Sequence, residues 1–534
     1  MLCSLALGCD SAAHSPPGPD KAAPPPAGAP SASPASADEP VGFAGEIVPA
    51  ATEPPAPPGG PSTIGRFARA EDAQAQQVFD RLRSWVSGRS GKLHAVVLDL
   101  ESERALVLHR ATEPVNPASN MKLLTAAAAL DLLGPAFTFQ TDLRGAIDAA
   151  GRAPELVLTG GGDPGLSSAD LFRLAQSAHA QGLRSVGRLD VDQSLFDTPF
   201  VPPAFEQQPK EWAGFRAPIS AAAVDQNTVT LNVAPSEVGK PARAWYEPPG
   251  VVETQGSVET RAEGGDRVGW TLDPGRDPTR PLSILGGGLA ANFARQRYTR
   301  RLDDPRRAAG LVLGHYLSLL GVQVEGEVGL VGLEVSSKLP RISYVASAPL
   351  SEGLLPLGKD SDNFTAEMVL VSLSQAAKDA PARPWSSARG AGALKAWLGA
   401  GGIPVDGVVI KNGSGLFDAN RVTAETLALV LARMESRPEV FAEYLGQLAI
   451  YGTDGTLRRR MTGDARHGRI RAKTGTLADV DALSGYVLRP SGQRPLVFSL
   501  VVSGASGGHG PVRQALDRAV FEWNAALVKE PAAP

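Results

Sequence analysis

The chain is 534 residues long, with 43% hydrophobic residues, 20% charged residues and a formal net charge of -4. That length suggests roughly three or four domains at about 150 residues each, and the apolar fraction is ordinary for folded proteins. The charge balance excludes the basic footprint of a nucleic-acid-binding protein. No run approaches the roughly 18 apolar residues needed to span a membrane, and the two cysteines, Cys3 and Cys9, leave the body without a disulfide, a thiolate nucleophile or a cysteine metal site.

Residues 1–10, MLCSLALGCD, resemble the end of a secretory signal that lacks its positively charged start. A start upstream of Met1 would supply that missing part. Leu5–Cys9 partly matches a lipoprotein cleavage box, in which Cys9 becomes the lipidated N-terminus. Residues 11–62 are rich in Pro, Ala, Ser and Gly, a composition that stays an extended spacer. The folded part begins near Ile64. Residues 70–88 read as a helix with Val78, Phe79, Leu82 and Trp85 on one side. Residues 94–101 and 104–110 read as strands joined by a tight turn at Ser102-Glu103. An apolar helix follows over 119–134, bounded by Pro117 and Gly134.

From 140 to 340 the pattern changes to short strand-like runs (ELVLTG, RLDVDQSLF, TVTLNVAP, GWTLDP) and one clear helix over 305–321. Helical periodicity returns at 361–377 and 423–436. Three strands then follow (RIRAKTGTL, ALSGYVLRP, PLVFSLVVSG), with a closing helix over 511–528. The expectation is one α/β domain, residues 63–142 plus 343–530, split by a mostly β insertion over 143–342 that holds two subdomains.

Three short motifs carry chemistry. In Ser119-Asn-Met-Lys122 the two side chains lie a helical turn apart on one face, and Ser119 sits at the positive end of the helix. A serine hydroxyl needs a base to become a nucleophile. Lysine serves only when neutral, and lowering its pKa from about 10.4 to about 7 amounts to roughly 5 kcal/mol, supplied by burial and a second cation. Ser-x-x-Lys alone also arises as an N-cap serine followed by a solvated lysine, but no other lysine of this chain has a serine three residues before it. Ser361-Asp362-Asn363 precedes an apolar helix, as capping residues do. Ser361 would relay a proton and Asn363 would hold a substrate amide. Lys473-Thr474-Gly475-Thr476 lies in a strand-like segment, where Gly475 permits close backbone approach. Lys473 would supply the second cation, and Thr474 and Thr476 would donate to a carboxylate. A gatekeeper lysine on an edge strand is the structural alternative.

In this order the motifs form the signature of serine penicillin-recognising enzymes. From about residue 70 to 525 the chain resembles D-alanyl-D-alanine carboxypeptidase/endopeptidases of the penicillin-binding protein 4 type. The similarity extends to LTGGGDPGL (158–166), FRAPISAAAVDQNTVTLNV (215–233), DDPRRAA (303–309) and YGTDGTLRRRM (451–461). The resemblance implies a β-lactamase/transpeptidase-like α+β domain, with an antiparallel sheet flanked by helices and extra domains between the first two motifs. It implies attack by Ser119 on a D-Ala–D-Ala carbonyl with Lys122 as base, and an oxyanion held by the backbone N–H groups of Ser119 and Thr476. It also implies no cofactor, peptidoglycan peptides as substrates, β-lactams as covalent inhibitors of Ser119, and a periplasmic or membrane-tethered location. Asn412 stands where the family usually has aspartate, in Asn412-Gly-Ser-Gly-Leu416.

Three rivals remain open at this stage. A β-lactamase would need a water-activating base, yet the one Leu-Asn pair, Leu231-Asn232, has Thr228 where a class A loop requires glutamate. An α/β-hydrolase is suggested by Gly504-Ala-Ser506-Gly-Gly508, with only His509 following it. A catalytically silent wall-binding protein is the third.

Overall fold

Both ends of the folded chain contribute strands to one seven-stranded sheet, in the order Ala68–Arg69, Arg104–His109, Lys92–Asp99, Leu496–Ser503, Val480–Val487, Ile470–Leu477 and Ala449–Ile450. Every neighbouring pair is antiparallel except the first, which is parallel. The computed structural model describes residues 65, 67–197, 200–377, 383–460, 468–490 and 492–528; Cys9 and the segment 1–62 lie outside them.

The central strands are apolar throughout because helices cover both faces of the sheet. In Lys92–Asp99, Val96 and Leu98 face a core built with the helices Met121–Leu133, Asn363–Ser372 and Ala424–Glu435, while Leu93, Ala95 and Val97 face the helices Ala73–Ser87 and His509–Leu527. Strand period two sorts these side chains between two cores. The Met121–Leu133 helix is apolar around its circumference, as suits a helix buried on all sides. It ends where Gly134 takes φ of 86°. Asp72 caps the Ala73–Ser87 helix, accepting from the backbone N–H groups of Gln74 and Ala75 at 3.0 and 2.8 Å.

The first hairpin differs in detail from the sequence expectation. Its first strand stops at Asp99, because that carboxylate accepts from Glu101 N and the Ser102 hydroxyl and folds residues 100–103 into a longer turn. Among the described residues, those between 140 and 346 form four further sheets. The largest has five strands, in the order Gly329–Val331, Leu189–Asp192, Leu156–Thr159, Gln140–Gly145 and Arg341–Ala346. The last two pair antiparallel with each other and straddle the boundaries expected at 142/143 and 342/343. A separate apolar cluster, with members from Leu143 to Val328, supports these sheets. The expected helix over 305–321 is observed at Ala308–Leu319.

A second helix in this region, Ser168–Ala180, escaped the sequence reading. It starts at a reciprocal capping box between Ser167 and Asp170 and buries Leu171, Leu174, Ala175 and Ala178 on one stripe. Helices at Ser387–Ala400 and Pro438–Gly446 were likewise not anticipated.

Under the C-terminal helix, Arg460 makes two bonds to the Asp517 carboxylate, at 2.9 Å from Nε and 2.6 Å from Nη2, and Tyr451 Oη donates to the same group. Asp517 is only 5% exposed. Asp517→Ala leaves a guanidinium and a phenol unpaired in the interior and is expected to lower unfolding free energy by roughly 3–5 kcal/mol. A denaturant titration checks this: the midpoint falls at unchanged m-value.

Candidate active site

Ser119 lies in a 3-10 turn, Ala118–Asn120, that runs directly into the Met121–Leu133 helix and brings Lys122 round to the same face. The Lys122 ammonium nitrogen is 3.0 Å from Ser119 Oγ, 2.7 Å from Asn363 Oδ1 and 2.8 Å from the Ser414 carbonyl oxygen. Two of these partners are pure acceptors and the third is a hydroxyl. A neutral amine can therefore donate to Asn363 and Ser414 and turn its lone pair towards the serine proton. Lys122 is fully buried. Burial pushes its pKa down to about 7, against the opposing pull of the Asp362 and Glu367 carboxylates. The second cation that the sequence reading invoked is not a cause of this shift.

Glu367 is a participant that the motifs did not reveal. It sits one turn after Asn363, is fully buried, and accepts from the backbone N–H groups of Gly413 and Ser414 at 3.0 and 2.8 Å. Burial pushes its pKa up. By holding these two amides it aims the Ser414 carbonyl at Lys122. The only trace in sequence was a glutamate at an otherwise apolar helical position.

Lys473 is also fully buried; its nitrogen donates to Ser361 Oγ at 2.8 Å and to the Thr474 carbonyl at 2.9 Å. Burial, and then the Lys122 charge, hold its pKa well below the usual lysine value. Ser361 thus bonds Lys473, and no hydrogen bond joins it to Lys122 among the described residues. Ser361 adopts φ of 62°, between the turn Pro356–Asp360 and the Asn363–Ser372 helix, which the Asp362 carboxylate caps through Thr365 N at 2.6 Å. Asn363 Nδ2 has one long contact, 3.4 Å to the Phe215 carbonyl.

In the Ile470–Leu477 strand, Lys473 and Gly475 face the nucleophile turn. A Cβ on Gly475 would stand 3.0 Å from the Pro117 carbonyl and 3.1 Å from Ala118 Cβ, so glycine permits the approach. Thr474 and Thr476 point to the other face. Thr474 Oγ1 is 2.9 Å from Thr456 Oγ1, and Thr476 accepts from Arg513 Nη2 at 3.1 Å. The short strand Ala449–Ile450 covers only Arg471 and Ala472, which leaves the edge from Lys473 onward without a paired strand among the described residues.

The rival motifs lie elsewhere. Ser506 is exposed and donates to the Arg89 carbonyl, while His509 pairs with Asp481 rather than with any serine. Leu231-Asn232 belongs to a strand, Thr228–Ala234, paired on both sides. Among the described residues no group of His, Cys, Asp and Glu could hold a metal ion.

The family model for D-Ala-D-Ala carboxypeptidase 3 (S13) matches residues 82–526. A D-alanyl-D-alanine carboxypeptidase of Actinomadura sp. (strain R39) is 35% identical over 453 residues, covering 82% of this chain and 81% of that protein. Penicillin binding protein 4 (dacB) from Haemophilus influenzae superposes with a TM-score of 0.68 at 22% identity, over 84% of this chain and 99% of its own. The same protein complexed with a β-lactam gives a TM-score of 0.65 at 21% identity, over 85% and 100%. At these identities the structural likeness concerns the fold alone.

Asn412, where the family usually has aspartate, uses both halves of its amide. Its Nδ2 donates to the Pro203 and Leu416 carbonyls at 3.1 and 3.0 Å, and its Oδ1 accepts from Gly415 N and Asn420 Nδ2 at 3.0 and 2.8 Å. A carboxylate cannot make the first pair of bonds. Asn412→Asp is therefore expected to cost roughly 1–3 kcal/mol, read as a lower thermal midpoint together with weakened acylation.

Proposed function

Because the chain belongs to the D-Ala-D-Ala carboxypeptidase 3 (S13) family, we propose that it cleaves D-alanyl bonds of peptidoglycan stem peptides through an acyl-enzyme on Ser119, as a D-Ala-D-Ala carboxypeptidase, a DD-endopeptidase or both. The observation that carries this assignment is the contact of 3.0 Å between Ser119 Oγ and a buried Lys122 amine whose pKa is near 7. A base poised near the working pH combines the right protonation state with useful basicity.

In the proposed reaction Ser119 Oγ attacks the carbonyl of the penultimate D-alanine as its proton passes to Lys122. The oxyanion takes the backbone N–H groups of Ser119 and Thr476; loss of one such donor typically costs about 10²–10³ in rate. Asn363 Nδ2, weakly engaged in the free site, holds a substrate amide oxygen. In the free site both lysines are driven towards neutrality. An incoming carboxylate is the missing counter-charge: it restores the proton on Lys473, and a cation there keeps Lys122 neutral. Ser361 delivers a proton from this lysine pair to the departing amine, and water releases the acyl group. Thr474, Gly475 and Thr476 form the substrate-strand contact along the uncovered edge. β-Lactams acylate Ser119 by the same route.

Residues 63–142 with 343–530 form the catalytic unit in this proposal, and 143–342 the insertion. Export to the periplasm, with Cys9 lipidated and 11–62 as a spacer, suits an enzyme that must reach a wall polymer.

Digestion of purified peptidoglycan with mass separation of products is the direct test. Released D-alanine shows carboxypeptidase action, and split cross-linked dimers show endopeptidase action. Ser119→Ala should abolish both products and labelling by a fluorescent penicillin. A wild-type protein that releases nothing and takes no label would be the silent wall-binding protein instead. Rapid turnover of a chromogenic β-lactam would favour the β-lactamase. Since Lys122 acts as the free base, kcat/KM should rise with pH through about 7 and level off above it; a profile already flat from pH 5 would remove Lys122 from that role.

A further inference from the structure

Thr476 and Asp481 stand directly opposite each other in the antiparallel pair Ile470–Leu477 and Val480–Val487. They lie on the face turned to the C-terminal helix, since Ile470 and Ala472 pack there with Val512 and Leu516. The first residues of that helix, His509–Leu527, complete a four-member polar cluster. Arg513 Nη2 donates to Thr476 Oγ1 at 3.1 Å and its Nε to Asp481 Oδ1 at 3.3 Å. His509 Nδ1 lies 2.9 Å from Asp481 Oδ2, and Thr476 Oγ1 lies 3.5 Å from Asp481 Oδ1.

A hydroxyl that accepts from a guanidinium keeps its own hydrogen to give. For Thr476 the acceptor within reach among the described residues is Asp481, and 3.5 Å is well beyond the roughly 2.5–3.0 Å of a good O–H···O bond. The hydroxyl is therefore a donor still short of a good acceptor. The Asp481 carboxylate next to it is 6% exposed, whereas Arg513 and His509 are each 37% exposed and reach solvent. An anion approaching Thr476 meets the guanidinium, with the competing carboxylate already bonded to two cationic or polar partners.

We infer that Arg513 is a positioning residue for carboxylate recognition: it turns the Thr476 hydroxyl outward as a donor to the substrate's terminal carboxylate and neutralises Asp481, which would otherwise capture that hydroxyl and repel the substrate. The inference rests on the acyl-transfer reading of the site. It divides the strand into two working faces. From one face Lys473 supplies the counter-charge, and from the other Thr476, set by Arg513, supplies the hydroxyl that selects a free acid end. Loss of Arg513 removes a donor and leaves the Asp481 carboxylate with His509 in place of two partners.

The test compares two acylated peptides, one ending in D-Ala-D-Ala as the free acid and the other as its C-terminal amide. Arg513→Gln should lower kcat/KM for the free acid by about 10- to 100-fold, through KM, while the amide changes by less than about 3-fold. Arg513→Lys should retain part of the preference for the acid. Adding Asp481→Asn to Arg513→Gln should recover part of the loss, because the repelling carboxylate is gone. Equal losses on both peptides, or no loss on the free acid, overturn the inference while leaving the acyl-transfer reading intact. A wild type that cleaves neither peptide overturns the inference, and one that also leaves cross-linked dimers intact and takes no penicillin label sinks the acyl-transfer reading with it.

Discussion

An amine kept from water, with no ion-pair partner among the described residues, is the constraint around which this site is built. Lys122 at a pKa of about 7 sits well under its usual 10.5, on the order of 5 kcal/mol of disfavoured charge. The surroundings offset this through packing, with the Asp362 and Glu367 carboxylates favouring the charge without bonding to it. Leu123, Leu124 and Ala126 to Ala129 are all 0% exposed, so the helix that carries the lysine is fixed on every side. The carboxylate nearest in role, Glu367, spends its oxygens on the backbone of the Asn412–Leu416 loop. What reaches the amine is a carbonyl, an amide oxygen and a hydroxyl. Such a set can satisfy either form of the amine, so it is burial that disfavours the charge and leaves a base.

The partners come from distant parts of the chain: Lys122 meets Asn363 across 241 residues, and Lys473 meets Ser361 across 112. The sheet makes this reproducible. Three strands from the beginning of the chain lie beside four from its end, and the two groups join where Lys92–Asp99 pairs with Leu496–Ser503 over eight matched positions. The long intervening segment departs through Gln140–Gly145 and returns through Arg341–Ala346, two strands paired with each other. Entry and exit are thus neighbours; much of the intervening structure has a core of its own, while Phe196 and Ile219 pack with Phe364 and Met368 of the Asn363–Ser372 helix, and the Pro203 and Phe215 carbonyls reach Asn412 and Asn363.

Much of this was legible in the sequence because it depends on local pattern. The Ser119/Lys122 spacing, the capped start of the 363–372 helix and the buried strands at the C-terminal end follow from periodicity and motif order. The missing parts depend on tertiary context. The Ser168–Ala180 helix was overlooked although Ser167 and Asp170 spelled its cap, since its short apolar stripe lay among strand-like runs. Glu367 and Arg513 act only through what folding places beside them, two amides in one case and a threonine and an aspartate in the other. Of the two causes the sequence suggests for the Lys122 shift, burial and a second cation, burial alone accounts for it. No linear pattern reports the depth of a side chain inside an assembled core.

The two hydroxyls of the site share a backbone device. Ala118, immediately before Ser119, has φ of 47°, and Ser361 itself has φ of 62°. For residues with a Cβ this left-handed region costs roughly 1–2 kcal/mol, so each turn persists because its surroundings leave no alternative. Gly415 packs so closely on the Ala118 carbonyl that a Cβ there would stand 1.9 Å from it, and Gly475 closes on Pro117 from the other side. The peptide that presents Ser119 is therefore held between two backbones that can approach only because they lack side chains. A hydroxyl fixed in this way keeps its distance to Lys122 without relying on the hydrogen bond between them. That independence matters for a base that exchanges its proton in every turnover, since the bond's polarity reverses while the geometry has to stay.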